Sequence, residues 1–147
     1  MAYESTSFPG YDAAFDAKTG PATFGYSSAV ILPENGRIVS TSGQVGRVVD
    51  GVRVEGDLKE QIDEAFKNVE RALMGTSKYS SPEEAWKSVY EVTSYHVGGV
   101  AQAYEANSEN ATKYFGTHRR PAWTAVGVTD LAYEGQLVEI QVKAVAV

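Results

Sequence analysis

The chain has 147 residues, enough for one domain with a single core, and its 43% hydrophobic and 22% charged residues are the balance of a globular protein. Its net charge of −6 opposes approach to phosphate backbones, and the basic clusters Lys113 and His118-Arg119-Arg120 are too small to line a nucleic-acid groove. No apolar run approaches the roughly 20 residues of a membrane span, and the acidic, aromatic start MAYESTSFPGYDAAFD is unlike a signal peptide. Cysteine is absent, which excludes disulfides, thiolate nucleophiles and cysteine-bound metals and fits the cytosol.

Residues 1–23 carry Gly10, Gly20 and Pro21 without periodicity and read as an extended arm ahead of a domain spanning 24–147. Ala29-Val30-Ile31-Leu32 and Arg37 to Ser42 predict two strands joined through Pro33-Glu34-Asn35-Gly36, with Asn-Gly suited to a type I′ hairpin turn. Gly43-Gln44-Val45-Gly46 ends the second strand. From Asp57 to Leu73, apolar residues at Leu58, Ile62, Ala65, Phe66, Val69, Ala72 and Leu73 step by three and four, the spacing of a helix buried on one face. Asp57 is placed to cap it, with Glu60 three residues on, and Gly75 suits a left-handed stop.

Ser81-Pro82-Glu83-Glu84 opens a short helix to about Lys87, and the β-rich VYEVTSYHV of 89–97 follows as a strand. A further helix is expected over 100–115, stopped by Gly116. Strands at 122–128 and 137–147 close the chain. In the last one Val138, Ile140, Val142, Ala144 and Ala146 share one face, and Leu137, Glu139, Gln141, Lys143 and Val145 the other. One apolar and one mixed face suit a sheet with helices on one side, in an α+β domain. The mixed face calls for cover, which self-assembly would supply.

Several segments together resemble the Rid (reactive-intermediate deaminase, YjgF-like) family. Phe24-Gly25-Tyr26-Ser27-Ser28-Ala29-Val30 is similar to its G-x-Y-S-x-A-V segment, and Ser42-Gly43-Gln44 to its S-G-Q loop. Lys113-Tyr114-Phe115-Gly116 sits where the family has Y-F. Pro121-Ala122-x-x-x-Val126 and Gly135-x-Leu137-Val138-Glu139-Ile140 match its C-terminal signature. The resemblance implies a chorismate-mutase-like fold, a homotrimer whose sheets form a central barrel, and three clefts between neighbouring subunits. It also implies hydrolysis of 2-imino or enamine acids to a keto acid and ammonia, without metal or cofactor.

One residue departs from that pattern. The family signature reads P-A-R, its arginine gripping the substrate carboxylate as a bidentate fork, whereas this chain has Trp123 there. An indole offers one N–H and no charge. Losing one partner of a buried charge pair costs on the order of 2–5 kcal/mol, about 30-fold to several thousand-fold in affinity. Ordinary 2-imino acids are therefore expected to be poor substrates. Either Arg120 or Arg119 supplies the charge, or the ligand lacks a carboxylate and meets an aromatic wall of Trp123 and Tyr26. The second is preferred, with an aromatic or conjugated ligand.

By resemblance Glu139 activates water as a general base, against the plainer reading of a solvated strand glutamate. Tyr26 lines the pocket, Ser42 and Gly43 frame its floor, and the Ala125 N–H holds a ligand oxygen. Asn107 reads as a surface helix residue. The histidines, His96 and His118, are too far apart in sequence to indicate a metal site or triad. The leading function is a cytosolic trimer hydrolysing or tautomerising imines or enamines. Its rivals are a non-catalytic binding or chaperone-like trimer, and an endoribonuclease, which the net charge disfavours.

Overall fold

The first long helix forms where the apolar spacing puts it. A computed structural model describes residues 3–6, 27–116 and 120–146, and in it helix α1 spans Leu58–Gly75. Asp57 Oδ1 accepts the Glu60 N–H at 2.9 Å, satisfying one of the unpaired donors of the first turn. The helix runs on through Gly75, however. The left-handed residue is Ser77, at φ 58, so Gly75 is not the stop. Helix α2, Pro82–Ser88, starts on Ser81, whose hydroxyl accepts from the Glu84 N–H.

The strands are β1 (Glu4–Thr6), β2 (Ala29–Ile31), β3 (Arg37–Ser40), β4 (Arg47–Val49), β5 (Arg53–Glu55), β6 (Val89–Val97), β7 (Ala122–Val128) and β8 (Val138–Ala146). The expected hairpin between the second and third does not form. β2 pairs antiparallel with β1, and β3 with β8. Asn35 and Gly36 do not take positive φ, and the Pro33 carbonyl accepts the Gly36 N–H, so this turn lacks the twist that folds two strands back together. The type I′ signature appears instead at Asp50 and Gly51, φ 55 and 69, joining β4 to β5.

The main sheet has four strands in the order β3-β8-β6-β7. β6 is antiparallel to β8 and parallel to β7, so the chain must cross back between β6 and β7. Gly98 and Gly99, φ 85 and 111, make the sharp exit from β6 that few other residues tolerate. A 3-10 turn at Ala101–Ala103 then leads into helix α3, Tyr104–Phe115, which ends at Gly116 with φ 67.

The three helices of the described residues lie on one face of this sheet, giving the mixed-sheet α+β domain expected from the alternation in β8. Ile62, Phe66, Val69 and Leu73 of α1 meet Val92 of β6 and Val138, Ile140, Val142 and Ala144 of β8 in one core. Stacked rings continue it: Phe66 lies 5.6 Å from Tyr114 and 5.9 Å from Trp86. On the other face a small satellite of Tyr3, Tyr90 and Val145 is buried beneath Val30 of β2.

Candidate functional site

The parallel register of β6 and β7 sets Trp123 beside Val92 and Ala125 beside Ser94, so their side chains emerge on the helix-covered face. α3 presents Tyr104, Asn107 and Ser108 to the same place, one helical turn apart. Together with Val100 and Ala101 these residues line a cavity of about 350 Å³ between α3 and β7. β7 is the edge strand, so alternate backbone N–H groups are free of sheet pairing along this wall. The placement suits Ala125 as a backbone donor.

Trp123 is rooted in the core and does not swing free. Its ring centroid lies 6.0 Å from that of Phe66 and 6.4 Å from that of Phe115, the latter edge to face. Its Nε1–H donates to Ser94 Oγ at 2.9 Å. Ser94 Oγ in turn lies 2.8 Å from His96 Nε2, and Asn107 Nδ2 approaches the same ring nitrogen at 3.4 Å. Nε2 of the neutral ring meets these groups as acceptor in one tautomer and as donor in the other. His96 is 0% exposed. Burial disfavours its cation and lowers its pKa below the usual histidine range.

From the sequence Asn107 reads as a surface residue and His96 carries no role. In the fold Asn107 is half-buried, lines the cavity and faces His96. Ser94 escaped notice altogether. Its signal was present, because Ser94 and His96 are successive inward positions on a strand whose partners there are Ile140 and Val138. Polar groups on an otherwise apolar face require partners, and α3 brings one.

Glu139 stands elsewhere. It pairs in register with Tyr95, and Tyr95 lies on the opposite face of the sheet from Ser94 and His96. Within one protomer Glu139 and Trp123 therefore do not share a cleft. Gly43 lies against Glu139, close enough that a Cβ would overlap the carboxylate. Paired bonds hold that loop on β8: Gln44 N–H to Ile140 O at 2.7 Å, and Ile140 N–H to Gln44 O at 2.9 Å. Gln136 Nε2 donates to Glu139 Oε2 at 3.4 Å, and Ser42 is exposed beside Gly43. Glu139, Gly43 and Ser42 thus come together, as do Trp123 and Ala125, in two separate groups.

Arg120 is not among the described residues lining the cavity. It is 2% exposed, with its carbonyl accepting from Ser27 Oγ at 2.7 Å, so its guanidinium does not stand in for the family arginine there. Tyr26, Arg119 and His118 lie outside the described residues, as does most of the N-terminal arm. Among the described residues no helix is long and apolar enough to cross a membrane.

Solved structures share this arrangement. The Rid-family protein YyfB from Yersinia pestis superposes with a TM-score of 0.75 at 23% identity, over 99% of each chain, a likeness of fold. YyfA, from the same organism, has 28% identity over 82% of this chain and 87% of its own, with a TM-score of 0.59. Yeast Mmf1 is 30% identical over 83% of this chain and 87% of its own, with a TM-score of 0.58. No curated protein sequence matches. The family model described as Endoribonuclease L-PSP matches residues 17–146, nearly the whole chain. The chain belongs to this Endoribonuclease L-PSP family, the Rid or YjgF-like group that its motifs resemble.

Proposed function

We propose that the protein is a cytosolic, cofactor-independent enzyme that hydrolyses or tautomerises a small imine or enamine lacking a carboxylate. The observation that carries this reading is Trp123 in the place of the family arginine, with its single N–H already committed to Ser94. A carboxylate in the cavity would meet neither a guanidinium nor the indole donor. A flat, uncharged, conjugated ligand would meet a ring, an amide and a half-buried hydroxyl-bearing residue, Ser108.

The chemistry needs water added to the imine carbon, followed by loss of ammonia to leave a carbonyl. Glu139 is the base of this proposal, and its position on the other face of the sheet makes assembly part of it. In a chorismate-mutase-like homotrimer with a central barrel, the sheet face that no described helix covers would meet the cavity edge of the next copy. Each intersubunit cleft would then hold Glu139, Gly43 and Ser42 together with Trp123 and Ala125. Ile38, 61% exposed, and Val126, 36% exposed, lie on that face and favour such cover.

The test is ammonia release from two freshly generated imines, one with a 2-carboxylate and one without, by the wild type and Glu139→Ala. Turnover of the carboxylate-free imine, lost in the mutant, is the expected result. Turnover of the 2-imino acid would overturn the reading of Trp123, and unchanged Glu139→Ala would overturn the base.

A second reading, a binding protein without turnover, is favoured by one observation: no carboxylate is among the described residues lining the cavity. Stable binding of the same imine without ammonia release would select it. An endoribonuclease is disfavoured by the −6 charge.

A further inference from the structure

The four polar groups behind the cavity wall form one chain, and chemistry sets the direction of its first step. Trp123 can only donate, so Ser94 Oγ accepts from it. Ser94 Oγ is itself held 2.8 Å from His96 Nε2, toward which Asn107 Nδ2 also turns. The one donor of the Trp123 ring is consequently aimed inward. What is left without a partner among the described residues is an acceptor, Asn107 Oδ1, together with the buried His96 Nδ1. Native interiors rarely leave such atoms unmatched, and ligand sites are a common reason when they do.

We propose that Ser94 and His96 are positioning residues that hold Trp123 with its N–H turned away from the cavity, so that the site selects uncharged, planar molecules bearing an N–H group. Asn107 Oδ1 is the acceptor for that N–H, and the indole is the wall it lies against. An anion finds no donor from Trp123, whose N–H is committed to Ser94, and no cation among the described residues lining the cavity. This rests on the preceding reading of the cavity as the ligand site and narrows its ligand to a neutral N–H compound, the class to which imines, enamines and amides belong.

The test uses Trp86→Phe protein, in which Trp123 is the remaining tryptophan. Three variants are made in it: Ser94→Ala, His96→Leu and His96→Gln, the last able to accept from Ser94 through its amide oxygen. The first readout is exchange of the Trp123 indole N–H, followed by NMR. The second is fluorescence titration with benzamide and with benzoate, which share a shape but differ in charge and in the N–H. Thermal unfolding verifies each fold.

In the parent, benzamide is expected to bind and benzoate to bind far more weakly. Ser94→Ala and His96→Leu should speed indole exchange and weaken benzamide by about two- to tenfold, the worth of one hydrogen bond. His96→Gln should stay close to the parent. Unchanged exchange in Ser94→Ala overturns the positioning role. Equal damage from His96→Leu and His96→Gln reduces His96 to packing and also overturns it. Benzoate binding as tightly as benzamide, or neither binding, overturns the ligand class. No readout involves turnover, so a failed imine assay leaves these results standing, and their failure leaves the imine assay undecided.

Discussion

The two faces of the four-stranded sheet are built from the same strands and do opposite work. On the helix side, Val92, Ser94 and His96 of β6 and Val138, Ile140, Val142 and Ala144 of β8 are all at most 1% exposed. On the other side, Glu91, Thr93, Tyr95, Glu139, Gln141 and Lys143 are half-buried, and Lys143 Nζ bonds Glu91 Oε1 at 2.9 Å across the strands. Strand alternation makes both faces from one sequence, but only the dry side surrounds its polar groups with protein. A hydrogen-bond chain such as Trp123-Ser94-His96 therefore has a fixed geometry, whereas the polar groups of the Glu139 side keep part of their surface open.

The largest effect should come from breaking the dry side. Phe66 is 0% exposed and its ring meets those of Trp86, Tyr114 and Trp123. Phe66→Ala is expected to cost about 3–5 kcal/mol by leaving a cavity among these rings. Urea unfolding monitored by circular dichroism measures it. Because Trp123 loses a wall, ligand binding should weaken in step. A loss under 1 kcal/mol would mean that the aromatic layer is less closely packed than its ring distances indicate.

A smaller effect distinguishes the faces by pH. His96 is held neutral by burial alone, facing Ser94 on its own strand, Asn107 from α3, and the apolar or small Val138 of β8 and Gly127 of β7. Its folded pKa is lowered, so between the folded value and the unfolded value near 6.5 the unfolded chain binds more protons. Stability from this group is present in full above pH 6.5 and is lost as pH falls toward the folded pKa. Thermal midpoints should fall on acidification through that window. The fall attributable to His96 should vanish in His96→Gln. Persistence of the whole slope in that variant would assign it to other groups.

How far the sequence led differs between these regions for physical reasons. Helix α1, its Asp57 cap and the alternation of β8 rest on local periodicity, and all three stand in the fold. The hairpin misreading arose because Asn35-Gly36 permits a type I′ turn without compelling one, while Asp50-Gly51 adopts it between strands of three residues, too short for their pattern to be noticed. At the site, Trp123 and Ala125 were found because they follow the Pro121-Ala122 motif. Ser94 and Asn107 were not, because their meeting depends on how α3 crosses back over β6. Trp123 and Glu139 were joined in one cleft on family grounds, and only the register of three strands reveals that they face opposite ways.

The smallest change in protomer stability should come from the face that no described helix covers, and it is the one that decides what that face is for. Ile38 lies on β3 opposite Val145 and is 61% exposed. On a surface that stays in water, Ile38→Ser should alter unfolding of dilute protein by no more than about 0.5 kcal/mol. If copies cover this face, the same substitution removes apolar area from each interface and shifts sedimentation toward lighter species at concentrations where the wild type stays assembled. We expect that pairing of results: a nearly unmoved dilute unfolding midpoint and a clear loss of mass. Imine turnover should fall with the mass, since Glu139 and Trp123 would then belong to separate molecules. An Ile38→Ser protein that keeps the wild-type mass and midpoint would place the assembly contact elsewhere on the sheet, and would leave Glu139 without a route to the cavity of Trp123.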